Sequence, residues 1–153
     1  MEAFFTSYLA LLHELTEDFV KTFDDLPDEA LDWVPGADMN SLVVLVVHTT
    51  GSARFWIGDV VLGESSNRDR ASEFLARGLS KDELKARFTA MLDYARGAAE
   101  RLSVTDFGGE RRTPDGKRTV TAGWALLHAV EHTALHLGHA QITRQLWQQK
   151  QST

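Results

Sequence analysis

Leu42-Val-Val-Leu-Val-Val-His-Thr-Thr-Gly-Ser-Ala-Arg-Phe-Trp-Ile-Gly-Asp-Val-Val-Leu62 decides the fold, because it can be read in two ways. The β-branched run Leu42 to Val47 alone describes a buried strand. The apolar pattern does not stop there, however. It continues past His48 to Phe55, Trp56, Ile57, Val60, Val61 and Leu62, and ends at Gly63. About 22 residues is too long for an ordinary strand, and β-branched residues do occur in fully buried helices. The segment is therefore predicted to be a helix, capped by Asn40 or Ser41. His48 falls in the middle of its apolar surface. A neutral imidazole buried there needs a hydrogen-bonding or metal partner.

Working outward, Phe4, Tyr8, Leu11, Leu12, Leu15, Phe19 and Phe23 recur at helical spacing and mark an amphipathic first helix. His13 lies off that stripe and reads as a solvated residue. A helical turn is expected at Asp28–Leu31, after Pro27, with Pro35-Gly36 ending it. Beyond Gly63 the chain is polar to Arg70, and a short helix is expected over Ala71–Leu79. Ser80-Lys-Asp-Glu83 spells a capping box that opens a third long helix through Leu84, Phe88, Met91, Leu92, Ala95, Ala98, Ala99 and Leu102. Pro114-Asp-Gly116 signals a turn, with room for a small hairpin around it. Thr119 or Thr121 can cap a last helix that runs to about Gln149. Four long helices, no strand–helix alternation and no repeat predict one all-α domain over residues 1–153, a four-helix bundle with short extra helices in its connections.

The last helix carries His128-Ala-Val-Glu-His-Thr-Ala-Leu-His-Leu-Gly-His139. At about 100° per residue, His128, His132, His136 and His139 fall within about 80° of one another and form one stripe. His132 and His136, four apart, can turn a ring nitrogen each toward one ion. Histidine is the commonest transition-metal ligand, and bundles build metal sites from facing helices. His48 is the candidate to stand opposite.

Together these features resemble the DinB/YfiT-like superfamily of four-helix bundles, over nearly the whole chain. The resemblance rests on Trp33-Val-Pro-Gly36, on a helix from about Ser41 carrying His48 and then Phe55-Trp56 and Ile57-Gly58, and on Glu131-His132 with His136 and Gly138. It implies a divalent metal, zinc or nickel, on His48, His132 and His136, and a homodimer. Where members often carry Arg-Gly-Gln after the last ligand, this chain has Leu137-Gly138-His139, a form similar to the branch containing mycothiol-dependent enzymes. That implies a low-molecular-weight thiol and an electrophile as small-molecule partners, with metal-assisted S-transfer, conjugation or a related isomerisation as the activity. Three histidines and an open position make a catalytic kind of site, a Lewis acid that lowers the pKa of a bound thiol.

The other residues of the stripe keep alternatives. Glu131 can orient a ligand or pair with a surface arginine. His128 is expected near the pocket mouth as a substrate contact or proton shuttle, and His139 can donate to a neighbouring helix. Either of them can instead be a fourth ligand. Trp56, eight residues after His48, can line the same cavity. His128-Ala-Val-Glu131-His132 also spells the H-x-x-E-H metallohydrolase motif, with His128 and His132 as ligands and Glu131 as base. A third reading is a non-enzymatic, stress-related bundle whose site is structural or vestigial.

Composition narrows the partners. With 16 Lys and Arg against 22 Asp and Glu, the chain has a net charge of −6, which argues against nucleic acid. It has no cysteine, so disulfides and thiolate ligands are excluded, which fits a cytoplasmic protein. Neither a signal peptide nor an apolar run of membrane-spanning length is visible. The basic group Arg111, Arg112, Lys117 and Arg118 reads as a solvated face attractive to an anionic thiol.

Overall fold

The computed structural model describes residues 1–152. Its long helices are α1 (Ala3–Lys21), α2 (Leu42–Arg54), α4 (Lys81–Ala99) and α5 (Ala122–Gln151). A single turn, α3 (Arg70–Glu73), and 3₁₀ turns at Asp28–Ala30 and Val104–Asp106 occupy the connections. The expected hairpin forms too, with β1 (Glu110–Arg112) antiparallel to β2 (Thr119–Thr121). Helix α2 packs on α4 and α5, and α1 packs on the same two, so α1 and α2 stand diagonally opposite. The architecture is the all-α bundle read from the sequence.

The Leu42 stretch is helical, and its burial explains its composition. Every residue from Ser41 to Thr50 is buried, enclosed by α4, α5 and α3. β-Branched residues lose little by this, because packing rather than propensity sets helix stability in such a position. Buried Thr50 returns its hydroxyl to the Val46 carbonyl at 2.9 Å, as Thr133 does to Ala129 at 2.7 Å. Ser41 is the cap, its side chain accepting from the Val44 N–H. On α5 the buried positions are mostly small (Ala122, Ala125, Ala129, Ala140), which lets the two backbones come close where the histidines face α2.

Two expected boundaries differ. After Arg54 the helix widens into a π-helix, Phe55–Leu62, before Gly63 ends it at φ 71°. Its buried Asp59 accepts from Arg54 five residues earlier at 3.1 Å and from the Ser66 hydroxyl at 2.7 Å. At Gly58 a Cβ would lie 1.6 Å from Arg54 Nη1 and 2.5 Å from the Tyr94 hydroxyl, so a side chain there would displace the ends of those two residues. The helix expected over Ala71–Leu79 is only the single turn α3, which starts one residue earlier, at Arg70, and ends at Glu73. Leu75 is 74% exposed, so its burial adds nothing to offset the cost of more helical order. Ser80 and Glu83 form the full capping box. Among the described residues, no helix is long and apolar enough to cross a membrane.

Candidate metal centre and adjoining cavity

His48 on α2 faces His132 and His136 on α5. Each offers one ring nitrogen, and the three nitrogens lie within 4.8 Å of one another. The Nε2 atoms of His132 and His136 are 3.2 Å apart. Two nitrogens bound tetrahedrally to one ion at the usual distance would be about 3.3 Å apart, so the spacing suits a shared ion. Among the described residues, no fourth His, Asp or Glu joins this group.

Burial keeps the pair unprotonated. Desolvation, reinforced by the neighbouring histidines, pushes His132 down to about 3 and His136 down to about 4. Near neutral pH both rings carry free lone pairs. Among the described residues, His132 Nδ1 is buried without a hydrogen-bond partner, while His136 Nδ1 lies 3.2 Å from His139 Nδ1. His139 therefore backs a histidine of its own helix.

His48 is held quite differently. Its Nδ1 lies 2.8 Å from Glu73 Oε2, and both side chains are buried. Arg68 donates to the same carboxylate twice, from Nε at 2.6 Å and from Nη2 at 2.8 Å. Burial alone would raise the Glu73 pKa, but the His48 and Arg68 hydrogen bonds outweigh it and hold the carboxyl below its usual range. An ionised acceptor at Nδ1 places the ring proton there and leaves Nε2 for the cluster. The approach depends on Gly51, one turn after His48, where a Cβ would stand 2.3 Å from Glu73 Oε1. The sequence reading demanded a partner for His48 but did not find Glu73, Arg68 or Gly51. Glu73 lies 25 residues away in a polar connection, and only a buried acid next to a one-turn helix could have signalled it.

The cluster opens on a cavity of about 690 Å³ whose lining includes His48, His132, His128, Trp56 and Asp59. Trp56 is among its lining residues. His128 stacks on Trp124 at 4.7 Å and meets Trp56 edge-on at 4.9 Å. Its Nδ1 lies 2.9 Å from the exposed carboxylate of Glu131, which stands outside the three-histidine group. Lys117 and Arg118 also line the cavity, whereas Arg111 is turned onto the Val61 carbonyl and Arg112 onto that of Gly116.

The same fold occurs in solved structures. A conserved protein from Enterococcus faecalis superposes with a TM-score of 0.80 at 15% identity, covering 95% of this chain and 97% of that one. Mycothiol-dependent maleylpyruvate isomerase superposes with a TM-score of 0.62 at 17% identity, and a variant of it with 0.65 at 16%. Each isomerase match covers 91% of this chain, which spans 63% of the isomerase's length. No curated protein matches by sequence. A family profile matches residues 11–140, and with it the chain belongs to the DinB superfamily.

Proposed function

We propose that this protein binds one divalent metal ion through His48, His132 and His136, and that the adjoining cavity is where a low-molecular-weight thiol is transferred or conjugated. The observation that carries the reading is the convergence of three ring nitrogens, within 4.8 Å, from two facing helices. Zinc and nickel both suit imidazole. When bound, the ion supplies Lewis-acid stabilisation of anionic sulfur at its open position.

The chain's own residues do the rest. Glu73 holds His48 in one tautomer, and His139 does the same more loosely for His136. His128, with Nδ1 turned to Glu131, has Nε2 left to accept the proton of an incoming thiol or to return it. Trp56 walls this side of the cavity, with Trp124 packed edge-on against it. A thiol is supported by the fold shared with a mycothiol-dependent isomerase. The absence of a fourth ligand among the described residues favours an open site over a purely structural one. The H-x-x-E-H reading is disfavoured, because His128, one of its two ligands, stands outside the group of converging ring nitrogens.

The test is elemental analysis of untagged protein after reconstitution with zinc or nickel, beside His48→Ala and the double variant His132→Ala, His136→Ala. Near-stoichiometric metal is expected in the wild type and none in the double variant. Loss of free thiol in the presence of an electrophile is then followed for metal-bearing protein. A wild type that retains neither metal, or a His48→Ala protein with full content, overturns the assignment.

A further inference from the structure

The mouth of the cavity carries cations that the histidine chemistry leaves unused. Four Lys and Arg side chains but only two carboxylates line it, in a chain whose net charge is −6. The carboxylates are committed, Asp59 to Arg54 and Ser66, and Asp115 to Thr113 and Lys117. Arg68 is committed to Glu73. Arg70 and Arg118 remain, and among the described residues neither guanidinium pairs with an acid.

Both instead lie on aromatic rings. Arg70 sits 4.9 Å from the centre of the Phe74 ring, and Arg118 sits 4.7 Å from Trp124 and 5.5 Å from Trp56. Each ring touches a histidine of the site: Phe74 is 4.7 Å from His48, and Trp124 is 4.7 Å from His128. A guanidinium resting on a ring face keeps its in-plane N–H donors available and loses less freedom when it binds. One arginine comes from α3 and the other from the hairpin, so two separate connections each bring an unspent fork to one cavity. Such forks match carboxylate and phosphate oxygens bidentately. In an acidic chain, a local positive basin also draws anions to this place and away from the rest of the surface.

We propose that the cavity takes a small molecule bearing an oxyanion, a carboxylate or a phosphate, held by Arg118 with Arg70 as the second anchor. The reacting end of that molecule then lies toward the histidines. The inference rests on reading the cavity as the substrate pocket. The test titrates the purified full-length chain with succinate and, separately, with inorganic phosphate, by calorimetry and by tryptophan emission. Saturable binding of at least one anion is expected, weakened about tenfold or more by Arg118→Ala and less by Arg70→Ala. Arg118→Lys should not restore it, because the fork is lost. Arg87→Ala removes the same charge from α4 and should leave binding unchanged.

The better-bound anion tells carboxylate from phosphate. The titration is repeated in the His132→Ala, His136→Ala background, where binding is expected to persist. Persistence there, beside a wild type without metal, would separate a failure of the metal assignment from a failure of this one. Absence of saturable binding, equal weakening by Arg87→Ala, or loss of binding in the histidine double variant overturns the proposal.

Discussion

The two halves of the histidine cluster are built on opposite principles. On α2, one imidazole is clamped by a buried carboxylate that is itself clamped by a bidentate arginine. On α5, two imidazoles are held by helical spacing and by each other, with one Nδ1 left unpartnered and the other backed by an exposed histidine. The α2 half is ordered by charge before any ion arrives. The α5 half holds neutral rings whose protonated forms burial disfavours. Pre-organisation by a network ties a ligand's position to global stability, whereas position by spacing alone leaves the two separable.

That contrast predicts unequal costs of mutation. Glu73→Ala leaves Arg68 and His48 without their acceptor in a largely buried place, and removing one partner of such a pair destabilises by about 3 kcal/mol. His136→Ala removes a ring that burial already disfavours in its charged form, and should cost under about 1 kcal/mol in the metal-free protein. Chemical denaturation of both variants without metal checks the pair of values. If the two cost the same, the asymmetry between the halves is wrong.

Gly51→Ala attacks the clamp without touching either charge. The new methyl would meet Glu73 Oε1 at 2.3 Å, so either the carboxylate or α3 has to move. Overpacking of this kind costs about 1–3 kcal/mol, and displaced second partners of a metal histidine typically weaken metal binding about 10- to 100-fold. A chelator competition reads the second effect. Glu73→Gln beside it separates loss of position from loss of charge, since the amide can still accept from His48 while pairing poorly with Arg68.

How far the sequence carried depended on periodicity. Helix α2 was legible only because the pattern ran on past His48, and α5 because four histidines shared one stripe. The α4 start was legible from the Ser80–Glu83 capping box, which rests on local spacing alone. The clamp was not legible. Arg68 and Glu73 sit in a connection whose only regular element is one turn, and no pattern announces a carboxylate that reaches across 25 residues. Nor was the π-helix, because Phe55–Leu62 is apolar enough to read as either helix type. What the pattern could give was the face on which the histidines lie, and what it could not give was what holds them there.

Acid should expose the α5 half first. In the unfolded chain a histidine takes its proton near 6.5, but in the folded protein His136 does so only near 4 and His132 near 3. Between those values the unfolded state binds more protons, so metal-free stability falls as the pH drops from about 6.5 through 4. The Glu73 contribution has the same sign but a lower window, because its folded pKa lies below its usual value and its stabilisation is lost only as the pH falls through that folded value. Stability curves for wild type and for His132→Ala, His136→Ala should therefore diverge between pH 6.5 and 4. Parallel curves would mean that these rings are not neutral and desolvated in the fold.

The smallest effect belongs to His139. Its ring is exposed, and its one contact with the cluster is the 3.2 Å approach to His136 Nδ1. Water can take that place in His139→Ala at little cost, so stability should change by less than about 0.5 kcal/mol. Metal affinity should fall by no more than about tenfold, the low end for a lost outer partner. Glu73 has no such substitute, because no water-accessible acceptor can replace an ionised carboxylate between a buried imidazole and a guanidinium. Measuring both variants in one chelator competition turns the difference between the halves into a ratio. A His139→Ala defect as large as that of Glu73→Gln would make the exposed histidine a fourth ligand in all but geometry, and the α5 half would then be as firmly held as its counterpart.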